Sequence, residues 1–130
     1  MDYFEYFLAK DPTYQEPVYF VPKGWGHERW LVNNDKYCGK LLYFVTGKKC
    51  SYHYHLVKDE CFYLHKGVAI ITYGETDDIT LAKQHVLKQG QTFKIPPGLR
   101  HQIEAIEDTE LFEFSTHHED SDSYRVIRGD

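Results

Sequence analysis

Four residues of this chain have the types and spacing to hold a metal ion. His53 and His55 are separated by one residue, Glu60 follows after four more, and His101 comes three residues beyond Gly98. In a strand, residues i and i+2 point to the same face, so both imidazoles of the His-x-His pair can reach one point. The gap to Glu60 is long enough for a tight turn into the next strand. Three imidazoles and one carboxylate suit a single divalent transition metal ion such as Zn, Fe, Mn, Ni, Co or Cu. Such a set leaves coordination positions open to water or substrate. The bland reading of a lone His-x-His pair is two surface residues on one strand face. His27, His65, His85, His117 and His118 are read in that way.

Positioning these residues falls to strands. The expected strands are 28–32, 37–45, 50–57, 60–64, 68–73, 78–87, 91–95, 101–105 and 110–116. Turn residues lie between them, including Thr46-Gly47, Lys66-Gly67, Gln89-Gly90 and Pro96-Pro97-Gly98. Many short strands at near-even spacing indicate an all-β sandwich or barrel. Residues 1–22 carry Pro12, Pro17 and Pro22, which forbid one long helix there. A short helix over Asp2–Lys10 followed by extended chain is expected, packing on the barrel or on a partner subunit. Residues 23–116 form the barrel. Residues 117–130 read as a polar tail that Tyr124, Val126 and Ile127 can dock.

Composition bounds the function. The chain has 130 residues, enough for one domain with its own core. A hydrophobic fraction of 42% and a charged fraction of 27% are ordinary globular values, and 16% aromatics favour β structure. A net charge of −5 argues against nucleic acid as a partner, because neutralising phosphates needs a basic face. No apolar run is long enough to span a membrane, and the first residues lack the pattern of a secretory signal. The three cysteines, Cys38, Cys50 and Cys61, match no zinc-finger spacing and read as reduced thiols of a cytoplasmic protein.

Two frames surround the candidate ligands. The first is Gly47, five residues, His53, one residue, His55, four residues, Glu60, six residues, Gly67. The second is Gly90, five residues, Pro96, Pro97, Gly98, two residues, His101. Gly47 and Gly67 sit where strands reverse and a positive φ is needed. Together the frames resemble the paired motifs of the cupin superfamily. The resemblance implies a double-stranded β-helix, a jelly-roll-like barrel with the metal inside. Further stretches look like the cupin domain of type II mannose-6-phosphate isomerases: Pro22 to Glu28, Ile95 to Glu104, and Leu111 to Thr116 with the acidic residues before Tyr124-Arg125.

That resemblance implies a metal-dependent isomerase acting on a sugar or sugar phosphate. The reaction would be aldose–ketose interconversion through an enediolate, with the metal polarising neighbouring oxygens and a base moving a proton. Glu113 is the candidate base, or else a solvated surface carboxylate. Tyr43 is a candidate for binding substrate through its hydroxyl, if its face is inward. Lys49 and Arg100 are candidates for holding an anionic group, or else ordinary surface charges. Phe62 shares parity with Glu60 and should line the pocket wall. Two alternatives stand beside the isomerase: a mononuclear Fe(II) dioxygenase or lyase for a small acid or thiol, and a non-catalytic small-molecule-binding domain. A homodimer is expected, since small cupins often pair and the N-terminal aromatics exceed what one core needs.

Overall fold

The computed structural model describes residues 18–130. Eleven strands run through it: β1 Tyr19–Lys23, β2 Gly26–Asn33, β3 Cys38–Phe44, β4 Tyr52–Tyr54, β5 Glu60–Lys66, β6 Val68–Gly74, β7 Lys83–Lys88, β8 Thr92–Ile95, β9 Arg100–Ala105, β10 Thr109–Ser115 and β11 Tyr124–Ile127. They form two antiparallel sheets, β1-β2-β3-β10-β5-β8 and β11-β4-β9-β6-β7. The pairings follow a rule. β6 turns back into β7, and then β5 meets β8, β4 meets β9 and β3 meets β10. The chain is thus a ribbon folded back on itself and wound between two sheets, which is the jelly-roll expected from the sequence.

Alternation along the strands builds the interior. In β5, Glu60, Phe62 and Leu64 are buried while Cys61 and Tyr63 are partly exposed; in β10, Thr109, Leu111 and Glu113 are buried. Ile71, Leu87, Ile95, Ile103, Leu42 and Phe44 join them in one apolar core. Trp25 closes one side by stacking on Phe44, with ring centroids 4.0 Å apart. Burying one such side chain contributes roughly 1.5–3 kcal/mol. Polar residues on the same inward-facing strands therefore sit in a dry, close-packed frame.

Several elements differ from expectation. The strand expected over 50–57 is only Tyr52–Tyr54, because the chain leaves the sheet at His55 and the backbone N–H groups of Leu56, Val57 and Lys58 turn to Asp122. The strand expected over 78–87 begins as a short 3-10 turn, Ile79–Leu81, capped by Asp78, whose carboxylate accepts from the Thr80 N–H. β1 crosses the boundary placed between residues 22 and 23. It tolerates Pro22 because it is an edge strand. The segment 117–130 is no simple tail, since β11 pairs with β4 beside His53. The helix expected over Asp2–Lys10 lies outside the described residues.

Candidate metal centre

β4 and β9 are neighbours in one sheet, and His53 lies directly across from His101 in their register. His55 follows at the end of β4, and Glu60 opens β5 in the facing sheet. The imidazole centroids are 4.4 Å apart for His53 and His101, 5.1 Å for His53 and His55, and 5.7 Å for His55 and His101. One ring nitrogen from each of the three lies within 4.8 Å of the others. Glu60 Oε1 is 2.9 Å from His101 Nε2 and 3.6 Å from His55 Nε2. The three imidazoles converge, and the Glu60 carboxylate lies against two of them.

Their outer atoms are fixed. Nδ1 of His53 is 2.8 Å from the Ser51 carbonyl, Nδ1 of His55 is 2.8 Å from the Asp122 carbonyl, and Nδ1 of His101 is 3.0 Å from the Leu99 carbonyl. A carbonyl only accepts, so each Nδ1 carries the proton and each Nε2 presents a lone pair. This is the usual arrangement around metal-ligating histidines. His101 Nε2 and Glu60 Oε1 are both buried and form no hydrogen bond of proper geometry, despite their short separation. Two facing lone-pair atoms repel unless they share a cation. The donor set therefore suits a divalent transition metal ion, which His53, His55 and His101 could hold with the Glu60 carboxylate beside them.

The electrostatics point the same way. Burial holds His53 well below the ordinary imidazole pKa, helped by His101, and pushes His55 down to about 4. Both are neutral ligands near neutral pH. Burial alone would raise the Glu60 carboxyl, but positive charge beside it, on His101 whenever that ring is protonated and on Lys58, outweighs this and holds the group well below its usual range.

Behind Glu60 lies a chain of buried charges that the sequence did not reveal. Lys58 Nζ is 3.2 Å from Glu60 Oε2 and donates to Glu113 Oε2 at 3.1 Å. It also lies 3.0 Å from Nδ1 of His118. Lys58 is only 3% exposed. Burial opposes its charge, yet Glu113 and Glu60 keep its pKa above the usual lysine value. Glu113 faces inward from β10 and also accepts from Ser115 Oγ at 3.0 Å. Burial and the charge of Glu60 raise its pKa, against the pull of Lys58 and Lys40. Lys40, across from Glu113 in the β3–β10 register, is buried and 3.7 Å from Glu28 Oε1.

These groups surround a cavity of about 270 Å³ that also takes in Phe62, Trp25, Arg125 and Arg128. Phe62 is a wall residue, as its parity indicated. Three other candidates are elsewhere. Tyr43 points away from the cavity and stacks on His27, because Leu42 and Phe44 take the inward positions of β3. Arg100, next to His101 on β9, projects to the opposite face, where it binds Asp77 at 2.9 Å and lies over Tyr54 at 3.8 Å. Lys49 is exposed, because it precedes β4 and the strand parity of His53 does not reach it. His118, read as a surface residue, instead contacts Lys58 at the cavity edge. The signal that could have found Lys58 and Lys40 was their position beside Glu60 and on an inward-alternating strand.

Comparison with known proteins agrees with the fold. The cupin domain profile matches residues 41–116. No curated protein matches the chain. Among solved structures, the capsular polysaccharide assembling protein CapF from Staphylococcus aureus is similar at a TM-score of 0.75 and 19% identity, over 92% of this chain and 34% of that one. KdgF from Halomonas sp. is similar at 0.67 and 16% identity, over 82% of this chain and 92% of that one. Oxalate decarboxylase from Bacillus subtilis is similar at 0.71 and 17% identity, over 83% and 30%. The chain thus spans about a third of CapF and of the decarboxylase. Among the described residues, no helix is long and apolar enough to cross a membrane. A profile match across more than half of the sequence, on a folded-back ribbon of the expected pairing, makes this chain a member of the cupin family.

Proposed function

We propose that this cupin is a metal-dependent isomerase of a small sugar phosphate or sugar acid. The observation that carries this reading is Glu113. It is a buried carboxylate with a raised pKa, on the cavity wall and joined to the ligand Glu60 through Lys58. Aldose–ketose interconversion needs a group that takes a proton from one carbon and returns it to the next, and such a group works best when its pKa is moved toward neutrality. A bound divalent ion would supply Lewis acidity toward the substrate's oxygens.

The chain's own residues do the rest. Glu113 moves the proton, and Lys58 holds its carboxylate in place at 3.1 Å. Lys40, which enters the cavity wall from β3, offers a fixed cation for a phosphate or carboxylate, the role first assigned to Lys49 and Arg100. Phe62 and Trp25 exclude water on the apolar side, which strengthens every charge interaction within. The protein is expected to pair through the outer face of the six-stranded sheet, where Phe112 and Phe114 stack and Phe114 is 56% exposed.

The test is proton exchange. Metal-loaded protein is incubated in D2O with a panel of aldose and ketose phosphates and uronic acids. The reading expects deuterium at the carbon beside the carbonyl, without oxygen uptake. Glu113→Gln should lose about 10²–10⁴-fold in exchange rate while keeping its metal. Oxygen consumption, or no exchange with any member of the panel, would contradict the proposal.

A further inference from the structure

The loop from Leu56 to Asp59 joins two candidate ligands, His55 and Glu60, yet the core does not hold it. Leu56 is 55% exposed and Val57 is 77% exposed, so apolar burial does not anchor this part of the loop. Three of its four backbone N–H groups turn to one residue from far along the chain, while Asp59 exchanges hydrogen bonds with Thr116 at the loop's end. The Asp122 carboxylate accepts from the N–H of Leu56 at 2.9 Å, from that of Val57 at 3.2 Å and from that of Lys58 at 2.9 Å. The backbone carbonyl of the same residue accepts from Nδ1 of His55 at 2.8 Å. Asp122 thus touches one ligand directly and governs the path to the other.

We infer that Asp122 is a positioning residue for the metal centre: it clamps the ligand-bearing loop and fixes the His55 tautomer. The inference rests on the metal reading of the site. Its physical basis is pre-organisation. Without the carboxylate, three backbone donors turn to water, the loop relaxes, and the carbonyl that orients His55 loses its anchor. Groups that orient ligands in this way affect metal affinity by about 10–100-fold. Lys58 follows the same loop, so its hold on Glu60 and Glu113 depends on the clamp as well.

The test is a titration of the metal-free full chain with Co²⁺, read by calorimetry and by the visible d–d bands. Asp122→Ala should weaken binding about 10–100-fold and alter the bands. Asp122→Asn keeps an acceptor oxygen and should fall between Asp122→Ala and the wild type. Ser121→Ala, on the same short 3-10 turn and without contact to the loop, should match the wild type. Wild-type affinity and spectrum in Asp122→Ala would overturn the inference and leave the metal reading intact. Should Asp122→Ala fail to fold, wild-type behaviour of Asp122→Asn overturns it equally. A wild-type chain that binds no Co²⁺ removes the metal reading and this role with it.

Discussion

Replacing Lys58 with Met strands two carboxylates in a dry site. In the native chain the Lys58 ammonium lies 3.2 Å from Glu60 Oε2 and 3.1 Å from Glu113 Oε2, all three side chains being buried. Removing one partner of a buried ion pair costs about 3–5 kcal/mol, and here one cation serves two anions, so the upper part of that range is expected at pH 8. For a domain of this size about 4 °C is lost per kcal/mol, giving a drop of roughly 16–20 °C in the metal-free protein. The loss should depend on pH. Burial and Glu60 already raise the Glu113 pKa, and without Lys58 it rises further. The penalty is therefore full above that folded pKa and is relieved as pH falls toward the unfolded value and Glu113 takes up a proton. Thermal and urea melts of metal-free wild type and Lys58→Met at pH 5 and pH 8 measure this. Adding Glu113→Gln to the variant should return part of the stability at pH 8. A loss under about 1 kcal/mol at pH 8, or an equal loss at both pH values, would refute the reasoning.

Acid should weaken the metal-free fold through His55. Its folded pKa is depressed to about 4 by burial, so the stability it contributes is present above its unfolded pKa of 6.5 and declines as pH falls toward 4. Over that window the loss from this group is about 3 kcal/mol, measurable by urea melts, and metal should leave over the same range as the imidazoles protonate. A flat stability profile between those pH values would contradict it. Gly67 and Gly90 give a matched pair. Both have positive φ, but a Cβ at Gly90 meets open space while one at Gly67 meets the Asp108 and Thr109 backbone. Gly90→Ala should cost about 1 kcal/mol from backbone strain alone, and Gly67→Ala clearly more.

Much of the centre was legible because strand period and motif spacing act locally. His53, His55, Glu60 and His101 each sit within a few residues of a turn that sets their facing, so parity and two frames sufficed. Phe62 followed from the same parity. Lys49 failed because parity was carried past the end of a strand that is only three residues long. Tyr43 was left open because either face of an alternating strand can be apolar, and only the packing of Leu42 and Phe44 decides. Asp122 and His118 reach the site from a segment that reads as polar tail, through contacts spanning 60 or more positions. No local pattern encodes those. Pro22 bars a helix but does not by itself mark a strand, and the edge strand β1 follows only from the sheet order.

Everything proposed for this site requires one cation shared by three imidazoles and Glu60. Elemental analysis of the purified chain after dialysis against a weak chelator measures this directly, alongside His101→Ala and Glu60→Ala. One equivalent of a divalent transition metal per wild-type chain is expected, with near-zero occupancy in both variants and an unchanged β-sheet circular dichroism spectrum. Wild-type protein without metal after incubation with Zn, Mn, Fe, Ni and Co salts, or variants that keep a full equivalent, would contradict it.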